Sequence, residues 1–233
     1  MARPLPNISF ARDAWRRDRT TLWIAGAGAL AYASWPLAFL VNRSLAGGAL
    51  ASSFEAHSEP FAWLFILLDC IAGLCIGVVC VRESRVRPHG ALVFALLAYG
   101  VFGAATAVDA VVPLSCGSSS AQACASQVWP LTPDDVLTGI AILALFLAMV
   151  TMTVQMARRP KLFRAWLPVA VGAATTTWSA LGLIVLMWNV SATAAALCQY
   201  AFLTLTAVLS LVVPLGAVRL QQDAAARQVN SAW

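Results

Sequence analysis

The sequence predicts an all-α integral membrane protein, a bundle of six transmembrane helices with both termini in the cytoplasm. Three observations predict it. Of 233 residues, 61% are hydrophobic and only 11% are charged, against roughly 45–50% and about 25% in ordinary soluble domains. A soluble fold of this composition would lack the charged groups needed to cover its surface. Six stretches are long and apolar enough to cross a bilayer, and the basic residues fall in alternate connections between them.

A helix rises ~1.5 Å per residue, so a hydrocarbon layer of ~30 Å takes about 20 mainly apolar residues. Residues 1–20 form a basic tail with Arg3, Arg12, Arg16, Arg17 and Arg19. Within it Ile8, Ala11 and Trp15 oppose Arg12, Arg16 and Arg19 at helical spacing. Two readings stand there, an amphipathic helix along the inner leaflet and a disordered tail. The first span covers 21–41. Ala49-Leu50-Ala51 after it could serve as a signal-peptidase site, but the apolar stretch is longer than a signal-peptide core, so a retained span is favoured. The second span, 61–81, follows a helix-start signal in Ser58-Glu59-Pro60, and the third covers 91–114.

The fourth span, 136–154, is announced by Thr132-Pro133-Asp134-Asp135. Threonine caps a helix, proline suits its first position, and acids in the first turn complement the positive end of the helix dipole. The fifth and sixth spans, 167–188 and 192–218, are joined by a short turn around Asn189 and Ser191 and read as an antiparallel hairpin. A polar tail, 219–233, closes the chain and reads as loose from Gln221 onward. Trp23, Trp63, Trp166 and Trp188 lie near span ends, where the indole favours the headgroup region. Trp35 and Trp178 lie deeper and read as packed inside.

Charge sets the orientation. Fourteen of the fifteen basic residues fall on one side, leaving Arg43 alone on the other. Basic connections stay in the cytoplasm, which places both termini inside a bacterial cell membrane. The net charge of +5 is therefore the residue of a split along the membrane normal. The partners implied are the lipid bilayer and a second membrane protein, with no nucleic acid.

The outer side is acidic. Glu55, Glu59, Asp134 and Asp135 belong to outer segments, with His57 among them, and form a candidate polar cluster. Asp69 and Asp109 lie within spans, about 12 Å and about 8 Å below the outer ends at ~1.5 Å per residue. A carboxylate near the helix centre costs about 2.5–3.5 kcal/mol on insertion scales, so each of these acids needs a partner inside the bundle. Asp69 shares a helix stripe with Gly73 and Gly77, a Gly-x-x-x-Gly surface that calls for close packing against another helix. Asp69 reads equally as a functional acid and as one hydrogen-bonded to Thr106, Thr175, Ser179 or Gln199. Asp109 has Thr106 one turn away as a local donor and reads mainly as structural.

No metal or cofactor site is expected. Glu55, His57 and Glu59 match no strong metal spacing, and a solvated loop is the default. Gly26-Ala27-Gly28 lies inside a span rather than after a strand, so it reads as a packing surface with Ala25, Ala29 and Ala33. No lysine lies in a span to form a Schiff base, and no histidine pair is available for a haem. Serine-hydrolase, zinc-protease and phosphate-loop signatures are absent. Cys116 and Cys124 share the long outer connection, where an oxidising compartment favours a disulfide. Cys70, Cys75, Cys80 and Cys198 lie in spans and read as small apolar packing residues.

Ser58-Glu59, Asp69 with Gly73, Gly103 with Thr106 and Asp109, then Pro113, Cys116 and Cys124 form a pattern concentrated in residues 55–125. It resembles a bacterial family of six-span membrane proteins, domain of unknown function family 998. The resemblance extends in topology over about residues 20–215 and implies a six-helix bundle, with no reaction, substrate or cofactor. Family members often carry a histidine at the outer start of the fourth span, where this chain has Asp134 and Asp135. Three functions are expected, in this order: an accessory or regulatory component of the cell envelope, an ion-coupled small-molecule transporter, and a lipid-processing enzyme using Asp69, Asp109 and His57. The absent catalytic signatures weigh against an enzyme.

Overall fold

The structure, a computed structural model, describes residues 8–41, 51–56, 59–85, 90–112, 133–158 and 192–231. The described chain is helical apart from short turns. Helix α1 runs Ile8–Tyr32, so the basic segment from Ile8 onward is helical. From Ile8 it is continuous with the first span. That span is broken before Pro36, which has no N–H to donate to the Tyr32 carbonyl and whose ring would crowd that carbonyl in a continuous α-helix. Ala33 and Ser34 form the break, and the chain resumes through a 3-10 turn at Trp35–Leu37 into the short helix α2, Ala38–Val41. The two pieces meet at a bend of 42°.

A second 3-10 turn, Ala51–Glu55, precedes helix α3 at Ala62–Ser84. Helix α4 spans Ala91–Val111 and opens on Gly90, whose φ of 58° and ψ of −131° suit a residue without a Cβ. Helix α5, Pro133–Ala157, begins at the proline expected in its first turn. Helix α6, Ala192–Ser231, corrects the loose C-terminal tail, since the polar residues from Gln221 to Ser231 continue the helix. Four helices are long and apolar enough to cross a membrane, or five with the bent first span. The expected fifth span, 167–188, and its hairpin turn lie outside the described residues.

Contacts fix the helix directions. Thr21 meets Glu83, and Gly28 meets Cys75, so α1 and α3 are antiparallel. Cys80 donates to the carbonyl of Leu96 while Gly73 faces Gly103, so α3 and α4 are antiparallel too. Helix α6 bonds Asp18 through Gln222 and Trp35 through Thr204, which sets it against the first span. Thr138 of α5 reaches Asp109 at one end, and Met152 and Met156 pack on Gly216 toward the other. The bundle thus has an acidic end, with Glu55, Asp69 and Asp109, and a basic end, with Arg19, Arg82, Arg85, Arg158, Arg219 and Arg227. Helices α5 and α6 both start at the acidic end.

Small residues set the packing, as expected where lipid supplies no hydrophobic drive between helices. Ala25, Ala29, Ala72, Ala95, Ala148 and Ala217 are buried. A Cβ at Gly73 would lie 2.5 Å from the carbonyl oxygen of Gly103, and one at Gly28 would lie 2.8 Å from the Cβ of Cys75. Gly77 corrects the expected stripe. No atom of the neighbouring described elements lies within 4 Å of a Cβ built there, while Ile76 and Cys80 on either side of it make the contacts with Gly103 and Gly100 of α4.

Intramembrane hydroxyls are satisfied locally. Thr106, Thr153, Thr204 and Thr206 each donate to the carbonyl four residues back. Thr106 therefore bonds Phe102 and is not the partner of Asp109. Pro214 lies inside α6 without breaking it. Its missing N–H leaves the Ser210 carbonyl without its ordinary helical donor, and the buried Tyr99 hydroxyl donates to that carbonyl at 2.8 Å.

Removing this substitute donor has a context-dependent cost. Tyr99→Phe should destabilise the folded protein by about 1–3 kcal/mol, the cost of orphaning a buried acceptor. In a Pro214→Ala background the amide returns, and the same change should cost well under half as much. Unfolding of the four proteins in mixed detergent micelles measures the difference. Equal costs in both backgrounds would separate Tyr99 from the proline.

Candidate functional site

Three carboxyl groups lie at the acidic end, each delivered by a different element. Asp69 lies two turns into α3, Asp109 lies in the last turn of α4, and Glu55 ends the 3-10 turn that packs on α3 and α6. The antiparallel packing of Gly73 on Gly103 brings the first two to the same level. The Glu55 carboxyl lies within hydrogen-bonding reach of the Asp69 carboxyl. Asp109 accepts from the Thr138 hydroxyl of α5 at 2.9 Å. Tyr32, closing α1, lies within electrostatic reach of Asp69, Asp109 and Glu55. Among the described residues no lysine or arginine lies at this end.

Aromatic rings cover the cluster. Phe54, beside Glu55, is buried and contacts Phe65 and Tyr200 at centroid distances of 5.3 and 6.2 Å. Trp35 stacks on Tyr200 with centroids 4.6 Å apart and planes within 3°. Its indole N–H donates to Thr204 at 3.0 Å. Phe39 completes the set edge-on to both rings. Trp35 is thus held within the bundle by a polar contact as well as by packing. The break before Pro36 turns it toward α6.

The remaining expected residues belong to the same end of the bundle or lie outside the described residues. Glu59 is buried just ahead of α3. Asp134 and Asp135 occupy the first turn of α5. His57, Cys116 and Cys124 lie outside the described residues, so the expected disulfide draws no support from the structure. Cys70, Cys75, Cys80 and Cys198 are free thiols. Among the described residues no three His, Cys, Asp or Glu side chains are grouped to hold a metal ion.

A second polar group at the basic end was not evident from sequence. Glu83 is fully buried and accepts from Thr21 at 2.8 Å, while Asp18 is buried and accepts from Gln222 at 2.7 Å. Arg82 approaches the Thr21 hydroxyl at 3.5 Å. Counting charges by loop places Glu83 with solvated residues, and only the α1–α3 register reveals its burial. Tyr32 and Thr138 were missed for the same reason.

Two carboxyl groups can share a hydrogen bond only while one of them keeps its proton. Losing that proton puts like charges side by side, with no lysine or arginine among the described residues at this end to offset them. The Glu55–Asp69 bond therefore ties the 3-10 turn and its Phe54 ring to the bundle in a proton-dependent way. Compared with known proteins, the chain matches no family model, no curated protein and no solved structure.

As pH rises and the shared proton leaves, segment 51–56 should lose protection in hydrogen exchange beyond the intrinsic rise in exchange rate. Glu55→Gln supplies amide donors that bond a carboxylate without a shared proton, so its protection should vary much less with pH. Mass spectrometry of the two proteins across a pH series makes the comparison. Identical profiles would show that the carboxyl pair does not hold the turn.

Proposed function

We propose that the chain is a six-span protein of the bacterial cell membrane, with both termini in the cytoplasm, acting as an accessory or regulatory component of the envelope. Helix direction supports the six-span count. Helices α5 and α6 start at the same end, so the chain between them has to return once along the bundle, and 167–188 is the apolar stretch long enough to do so. The arginines gathered at the other end support a cytoplasmic assignment for that face. The residues quoted above support membership in domain of unknown function family 998. The same reading keeps Cys116 and Cys124 as a bridge in the outer connection.

One observation carries the accessory reading: the buried or half-buried acids have partners within the chain. Asp69 has Glu55, Asp109 has Thr138, Glu83 has Thr21 and Asp18 has Gln222. Such pairing suits a protein whose acids hold its own helices. The outward faces of α3 and α5 remain for lipid or a membrane partner, with only 28% and 33% of their apolar windows buried against 61% for α6. Affinity isolation in mild detergent should recover a second membrane protein in stoichiometric amount. Recovery of the chain alone, under conditions that preserve known complexes, would count against this function.

The second reading is an ion-coupled carrier. It is favoured by the convergence of Tyr32, Glu55, Asp69 and Asp109, since one level of the bundle then holds several groups able to take up a cation or a proton. A carrier should lose most of its uptake, or the pH dependence of that uptake, in an Asp69→Asn protein reconstituted in vesicles. Full and pH-independent transport by that variant would exclude the coupling role.

A further inference from the structure

At the basic end the acids turn inward and the arginines turn outward. Glu83 and Asp18 are buried against Thr21 and Gln222, while Arg19, Arg85, Arg158 and Arg219 are exposed. These four come from four helices or their ends, α1, α3, α5 and α6. Three contacts bring them to one level. The Asp18–Gln222 bond sets Arg19 near Arg219, the Thr21–Glu83 bond sets Arg85 near the same turn of α1, and the packing of Met156 on Gly216 sets Arg158 near Arg219. That level is where the apolar windows end, since the span helices run to Ser84, Ala157 and Ala224. Asp223, one turn beyond Arg219 on α6, pairs with Arg227 at 3.1 Å.

We propose that this girdle of Arg19, Arg85, Arg158 and Arg219 binds the phosphodiester headgroups of anionic phospholipids. Guanidinium groups bond phosphate oxygens in a bidentate fork, and their depth matches the headgroups of lipids whose tails pack on the exposed apolar faces. Burial of Asp18 and Glu83 is what leaves the outer surface at this level positive. The site does not depend on which function above applies.

The test uses full-length protein in detergent with equal amounts of phosphatidylglycerol and phosphatidylcholine, and native mass spectrometry counts the lipids retained. The wild-type protein should retain phosphatidylglycerol in preference. Each arginine replaced by glutamine should weaken that preference about fivefold, the effect expected for one basic residue at an anionic surface. The combined Arg→Gln protein should lose it, and the combined Arg→Lys protein should keep it. Should the combined Arg→Gln protein fail to fold, Arg85→Gln and Arg158→Gln, at helix ends, carry the test singly. The proposal is overturned if the wild type shows no preference, if the glutamine proteins keep it, or if the lysine protein loses it. Displacement of the bound lipid by millimolar inorganic phosphate would also overturn it, by assigning the site to free phosphate.

Discussion

The approach of Gly73 to the backbone of Gly103 is the contact on which the acidic end depends. Between helices in lipid, apolar area offers no driving force, so association rests on how closely two backbones can come and what they hydrogen-bond. Here the carbonyl of Gly103 lies where a side chain at position 73 would start. That contact fixes the antiparallel register of α3 and α4. One turn from it on α3 stands Asp69, and less than two turns from it on α4 stands Asp109. The two acids reach the same level because two glycines meet beneath them.

Apolar length and basic spacing made the class and most helix starts legible. Pro133 opens its helix, and the helices at Ala62, Ala91 and Ala192 begin within a residue of the expected spans. The departures share one cause, which is that tertiary contacts decide what periodicity leaves open. The tail after Gln221 is polar enough to read as loose, yet it continues a helix anchored by the Gln222–Asp18 bond. Gly77 has the spacing of a packing residue, yet no neighbouring side chain or helix among the described residues comes within 4 Å of a Cβ built there. Thr106 stands one turn from Asp109 but turns back to its own helix. Asp69 was legible as an acid in need of a partner. That the partner is Glu55, another acid on a returning segment, depends on a chain path that no local pattern encodes.

Polar groups within the bundle follow one economy. Lipid offers no water to complete a missing hydrogen bond, so most such groups are answered from within the chain, with Glu83 Oε2 and Gln155 Nε2 as buried exceptions. Threonines answer themselves through the preceding turn, Tyr99 answers the carbonyl that Pro214 leaves open, and Thr21 answers Glu83. This selects positions more tightly than apolar packing does, because a leucine in lipid can be exchanged for many residues and a donor of fixed reach cannot.

Helix α6 is the longest of the described helices and joins both ends of the bundle. Tyr200, under the aromatic cover, and Gln222, on Asp18, belong to the same uninterrupted helix, about 33 Å apart at ~1.5 Å per residue. A helix is stiff along its axis, so it behaves as a push-rod between the two faces of the bundle. A turn or slide imposed at Tyr200 is delivered at Gln222 in the same instant, with no relay of side chains to cross.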